Sequence, residues 1–210
     1  MKNAWLVRPM PHGKNRVSEF KKKQIIAVGW PCIGDLNGKS REDLKQLLSK
    51  PPYSLSGLAL GNAYATIDIF VNQMQISDLV LMPNGDDIYF GEITSNYYMD
   101  STVDSDDEGY PHQRTIKWLS DASRKELSMD LRSSLKVHRT TANLSHHTKE
   151  IEALCHGEKI DETILLQATT IDVSYPLRPN FNVSFKIPTD ISSDEAQRLS
   201  AYFASLYFQK

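Results

Sequence analysis

The spacing of apolar side chains divides the chain into short strands and amphipathic helices in mixed order. Trp5, Leu6 and Val7 form a compact apolar run closed by Pro9, Pro11 and Gly13, which reads as a strand ending at Arg8. Residues 15–23 place Val17 and Phe20 on one side of a helix. Residues 24–30 are almost wholly apolar and rich in β-branched side chains, so they read as a buried strand. After a turn at 34–38, Ser40 and Asp43 stand three residues apart. At that spacing a hydroxyl and a carboxylate satisfy each other's free helix amides, and the helix they open is expected to end near Ser49, before Pro51 and Pro52. Ala63, Ile67, Phe70 and Met74 recur at helical spacing over 62–74. Strands are predicted at 78–82 and 87–94, joined by a turn over 83–86 whose Asn84-Gly85 pair favours a tight hairpin, and at 114–119, where polar and apolar residues alternate. Residues 100–109 are acidic and weakly hydrophobic, as in an exposed, mobile loop. Short helices are predicted at 123–127, 130–135 and 145–154, the last closed by Gly157.

The pattern changes after Gly157. Residues 163–173 and 181–187 read as strands, and Phe181, Val183, Phe185 and Ile187 alternate strictly. Ser192 and Glu195 form a second capping pair, and Ala196, Leu199, Phe203 and Leu206 share one stripe of the helix that follows. A β-β-α unit of this size cannot bury a large core alone, so it is expected to dock on the first domain or on a partner. The domain division predicted from this is 1–157 and 158–210.

Composition supports a packed α+β chain: 210 residues, 40% hydrophobic and 24% charged. No apolar stretch approaches the roughly 20 residues of a membrane span. The opening residues are too short an apolar run for a secretory signal. Cys32 and Cys155 are far apart and lack a CxxC partner, so reduced thiols in a cytoplasm are expected. The net charge of −2 hides a division. Residues 1–50 carry 11 Lys/Arg against 4 Asp/Glu, whereas 51–112 carry no Lys or Arg and 10 Asp/Glu. Such a field can orient an anionic partner, or it can reflect a solvated basic face and a solvated acidic loop.

Candidate chemistry is sparse. Asp104, Asp106, Asp107 and Glu108 are dense enough to attract a cation but lack the pattern of a calcium loop. His146, His147, Cys155 and His156 do not have the arrangement of a zinc site, and adjacent histidines on regular structure point different ways. No phosphate loop, dinucleotide fingerprint or nucleophile elbow is present. No catalytic residue, metal or cofactor is therefore expected. The aromatic residues Trp30, Tyr89, Phe90, Tyr97, Tyr98 and Trp118 fall in or beside predicted strands, with Arg8, Arg114 and Lys117 beside them in sequence. They are either the core of a barrel or a surface that stacks a base and holds its phosphate.

Four stretches carry a resemblance: Trp5-Leu-Val-Arg8; Ile26-Ala-Val-Gly-Trp30 with Ile33-Gly-Asp-Leu36; Ser77-Asp-Leu-Val80 with Gly91-Glu-Ile-Thr94 and Tyr97; and Pro111-His-Gln-Arg114 with Lys117-Trp118. Over roughly residues 1–155 the chain resembles the amino-terminal domain of bacterial Mrr-like restriction proteins, a PUA/EVE-like fold. The resemblance implies a twisted, partly closed β-barrel flanked by helices, followed here by the small β-β-α unit. It implies recognition of DNA or RNA, including a modified or flipped base, by Arg8, Trp30, Tyr97, His112, Arg114 and Trp118, with Lys117 alongside. Met99 stands where a second aromatic is expected and Ser95 where Gly is expected. Residues 158–210 are too few for a nuclease domain and show no Asp…Glu-x-Lys arrangement, so cutting activity is not implied.

The resulting expectation is a non-catalytic cytoplasmic reader of nucleic acid, serving as a sensor or specificity subunit in restriction or phage defence. The alternative is a structural or regulatory subunit in which residues 158–210, with Tyr202, Phe203, Tyr207 and Phe208, form a homodimer or dock an effector protein. A hydrolase would require a convergent nucleophile–base pair or a metal.

Overall fold

In the computed structural model, which describes residues 2–157, 170–189 and 191–206, the apolar runs of the first unit become strands of one curled sheet. The chain divides into two units, Met1–Ile160 and Asp161–Lys210. The strands of the first are β1 (Ala4–Val7), β2 (Ile25–Val28), β3 (Leu79–Asn84), β4 (Asp87–Ile93), β5 (Tyr98–Met99), β6 (His112–Ser123) and β7 (Thr141–Asn143). They lie in the order β2-β6-β4-β3-β1-β7, with β5 added to β6. Only β1 and β3 run parallel; the other pairs are antiparallel.

Because strand side chains alternate, the sheet feeds apolar layers on both faces. On one, Trp5, Val7, Ile26, Val80 and Ile116 meet Leu44 and Leu48 of α2 (Arg41–Ser49) and Ile67 of α3 (Gly57–Asp68). On the other, Leu6, Leu81 and Phe90 meet Leu131 of α4 (Met129–Ser134) and Ile151 of α5 (Thr148–Cys155). A third cluster packs Phe20 of α1 (Val17–Lys23) against Ile25, Met82 and Tyr110. Each fully buried side chain of this kind contributes about 1.5–3 kcal/mol relative to exposure.

Several elements depart from the sequence pattern. The predicted strand over 24–30 is shortened at both ends, because Gln24 and Trp30 adopt left-handed conformations, φ 54° and 65°. The helix predicted over 62–74 begins at Gly57 and passes after Asp68 into a π-turn over Ile69–Gln73. The predicted turn is displaced by one residue: Asn84 pairs with Asp87, leaving Gly85 and Asp86 as the two-residue loop. Strand β6 is twice as long as predicted and carries an irregularity opposite Phe90 and Gly91. The acidic loop is anchored rather than freely exposed. Val103 is buried and Asp104 accepts a hydrogen bond from the Cys32 amide at 2.6 Å.

The charge division also resolves differently. Arg16 pairs with Glu19 at 2.9 Å and with Glu108 at 3.1 Å, and Lys14 donates to the carbonyl of Asp107. Part of the basic amino-terminal segment is therefore turned onto the acidic loop and neutralised locally, leaving less of it for an anionic partner.

In the second unit, β8 (Thr170–Arg178) and β9 (Phe181–Pro188) form an antiparallel hairpin, followed by α6 (Ser193–Ser205) with the Ser192–Glu195 capping box in place. None of its described residues is buried. Residues 163–169 of the first predicted strand, and Tyr207 and Phe208, lie outside the described residues. Among the described residues, no helix is long and apolar enough to cross a membrane.

Candidate nucleic-acid interface

The connection from α4 to β7 has no regular structure of its own, and Arg8, just past β1, supplies its order. The Arg8 amide donates to the Thr140 carbonyl at 2.8 Å. The guanidinium then donates from Nε to Arg139 O at 3.1 Å, and from Nη2 to Leu135 O and Val137 O, both at 2.8 Å. Its second terminal nitrogen, Nη1, has no hydrogen-bond partner among the described residues. A planar fork of fixed donors suits this task, whereas a single ammonium does not.

With its carbonyls turned inward to Arg8, the connection leaves Lys136, Val137, His138 and Arg139 exposed. Arg8, Lys136, His138, Arg139 and Thr140 line an open depression of about 660 Å³. No carboxylate lines it, and neither Lys136 nor Arg139 forms an ion pair among the described residues. Partial burial, then the nearby charge of Arg124, lowers the pKa of Arg8. Three permanent cations with free donors around an open depression suit phosphate oxygens.

Of the residues singled out in the sequence, Arg8 is the one found here. Trp30, Tyr97 and His112 do come together, but as a framework. His112 Nε2 donates to Trp30 O at 3.1 Å, Tyr97 Oη donates to His112 Nδ1 at 2.9 Å, and the Leu36 amide donates to Tyr97 Oη at 3.1 Å. The two rings stack at 5.9 Å between centroids. Tyr97 is 8% exposed and His112 0%, so their polar atoms serve the loop that begins at the left-handed Trp30 and are not available to a base. Burial drives the His112 pKa down to about 4, so the ring is neutral, with its proton on Nε2 in this network.

Arg114 is likewise an internal residue rather than a phosphate ligand. It is 2% exposed and donates from Nε to Phe70 O at 2.8 Å, from Nη2 to Val71 O at 3.0 Å and from Nη1 to Ser95 O at 3.2 Å. Burial lowers its pKa to about 10, and it remains charged. Lys117 is exposed and stands opposite Glu92 in the β4–β6 register, whose carboxylate is itself paired with Lys2 at 2.6 Å. Trp118 is half-buried and packs against the apolar cluster that holds Tyr97 and on which Trp30 also lies; it is edge-on to Tyr89 at 6.5 Å, and Lys21 Nζ lies 3.8 Å from the Tyr89 ring centre. Tyr97, His112 and Arg114 thus spend their polar atoms inside the protein.

One nucleophile–base contact escapes sequence reasoning. Ser134 Oγ and His147 Nε2 are 2.9 Å apart, with Glu150 Oε2 4.0 Å from His147 Nδ1. The geometry does not make a catalytic triad. Glu150 accepts instead from the Ser128 amide at 2.8 Å and hydroxyl at 2.7 Å. Burial, with a smaller contribution from His146, lowers the His147 pKa to about 4, far below the value suited to a base working near neutrality. These groups fasten α4 to α5. Among the described residues, no three His, Cys, Asp or Glu side chains converge as a metal site requires.

The cationic depression had a readable trace. Between Asp130 and Glu150 the chain carries no acidic residue, while Arg132, Lys136, Arg139, Lys149 and three histidines fall within it. What sequence does not give is the inward turn of the carbonyls that keeps the side chains of this run outside.

A family model described as Domain of unknown function (DUF8426) matches residues 5–144. Among solved structures, the chain is similar to protein Atu2648 from Agrobacterium tumefaciens, with 13% identity and a TM-score of 0.35 over 76% of this chain and 100% of that one, a likeness too slight to carry an argument. No curated protein matches. None of these findings links the chain to Mrr-like restriction proteins.

Proposed function

We propose that this chain, which belongs to the DUF8426 family, is a non-catalytic nucleic-acid-binding protein of the cytoplasm that holds backbone phosphates in the depression around Arg8. The observation that carries this reading is the lining itself: Arg8, Lys136, His138 and Arg139 with no carboxylate among them, on a connection whose shape Arg8 fixes. The curled sheet flanked by helices is compatible with a PUA/EVE-like barrel, which we adopt as the framework of the proposal. The chemistry favours phosphate over base recognition, since the lining has no Trp, Tyr or Phe ring and the Tyr97–His112 pair is occupied internally. DNA and RNA both offer such phosphates.

Binding of labelled single- and double-stranded oligonucleotides, followed by anisotropy at increasing salt, tests the proposal. Affinity is expected to fall with salt along a log–log slope of about −0.9 per duplex phosphate contact, giving roughly −3 for three cations. Lys136→Ala and Arg139→Ala are each expected to reduce that slope by about one contact without lowering the melting temperature. Lys117→Ala is expected to leave binding unchanged. Absence of binding to every oligonucleotide at the lowest salt, or binding indifferent to both substitutions, overturns the proposal.

A further inference from the structure

We infer that the second unit is a self-association module, in which the apolar face of one β8–β9 hairpin and its α6 stripe are covered by the same surface of a second copy. The register places Ile171 opposite Ile187, Val173 opposite Phe185, and Tyr175 opposite Val183. These pairs form one apolar face. The intervening pairs, Asp172–Lys186, Ser174–Ser184 and Pro176–Asn182, form a polar one. Phe203 of α6 packs on Phe185 with ring centres 5.4 Å apart, so the helix belongs to the apolar side.

That side is left open. Ile171, Tyr175, Leu177, Phe181, Tyr202 and Phe203 are each between 41% and 61% exposed. A lone two-stranded hairpin is at best marginally stable in water, and a unit with no buried side chain among its described residues lacks the core to hold it.

Two observations point to a second copy as the occupant. The first is area. Those six residues expose on the order of 700 Å², against ~800 Å² per partner in a standard stable interface. The second is charge. The six residues of the patch carry no charge, and the Asp172–Lys186 pair of the hairpin lies on its polar face. A neutral, strongly apolar surface does not repel its own image and offers no field to select a charged partner. A two-fold axis brings such a patch against itself and closes the assembly at two copies.

Sedimentation velocity of the full chain, without nucleic acid, tests this over roughly 1–100 µM, the range in which mass action separates the two states. The mass is expected to rise from 23.8 kDa toward twice that value. Tyr175→Lys and Leu177→Lys alter exposed side chains and are each expected to weaken dimerisation by at least about tenfold with an unchanged circular dichroism spectrum. Ser184→Lys, on the polar face, is expected to have no effect. Co-purification of differently tagged wild-type copies tests the same contact without any substitution. A chain that stays monomeric throughout, whether because its own first unit or an effector covers the face, overturns the inference. So does a dimer that survives both apolar-face substitutions.

Discussion

Arg8 and Arg114 both spend their guanidinium groups on backbone carbonyls, yet only Arg8 keeps a free edge toward solvent. Sequence singles out both, because each stands beside the aromatic residues of predicted strands. It does not reveal that the partners are carbonyls 127 to 131 residues away for the side chain of Arg8, and 19 to 44 away for Arg114. Arg114→Met strands three carbonyls in a dry interior and is expected to destabilise the fold by about 3–5 kcal/mol, measured by urea unfolding. His112 gives the stability a pH signature. Its ring titrates near 6.5 when unfolded and near 4 when folded, so between these values only the unfolded chain takes up the proton. The stability owed to the neutral ring is complete above about pH 6.5 and is lost as pH falls toward 4, by about 3 kcal/mol in all. His147 acts in the same direction. Urea midpoints at neutral pH and near pH 4.5 are expected to show the drop, and His112→Gln to remove its share of the slope.

Elements were legible where a local rule decides them. The Ser40–Asp43 capping box is present as predicted, with the Asp43 amide donating to Ser40 Oγ at 3.2 Å, and Ser40→Ala is expected to cost about 1 kcal/mol in melting experiments. Boundaries set by distant contacts were not legible. The π-turn at Ile69–Gln73 presents the Phe70 and Val71 carbonyls to Arg114, a strand residue more than forty positions later. Strand β7 is only three residues long and depends on β1 for its existence. Gly91 marks another tertiary constraint. A Cβ there meets Ile116 Cδ1 at 2.7 Å and Lys117 O at 2.9 Å, at the irregularity in the β4–β6 register. Gly91→Ala is expected to destabilise by about 1–3 kcal/mol, with the loss visible in the unfolding midpoint.

Across the whole molecule, net charge is a poor guide to what the surface attracts. The formal charge is −2, and part of the basic amino-terminal segment is answered by the acidic loop through Arg16 and Lys14. Lys136 and Arg139 gather with Arg8 where no carboxylate lines the surface, in a stretch that the sequence pattern reads as short helices and their connections. The mixed architecture and the small carboxy-terminal unit could be read from periodicity. The candidate site could not, because its shape comes from one side chain closing a loop more than 120 residues away in sequence. That arrangement makes position 8 answer to two demands at once. A lysine there preserves the tally of positive charges while releasing the strap that gathers the others, so an alanine scan scores Arg8 as essential for binding even if it never touches a phosphate. Separating scaffold from contact requires restoring the strap by other means, such as a covalent bridge across the loop, and asking whether affinity returns.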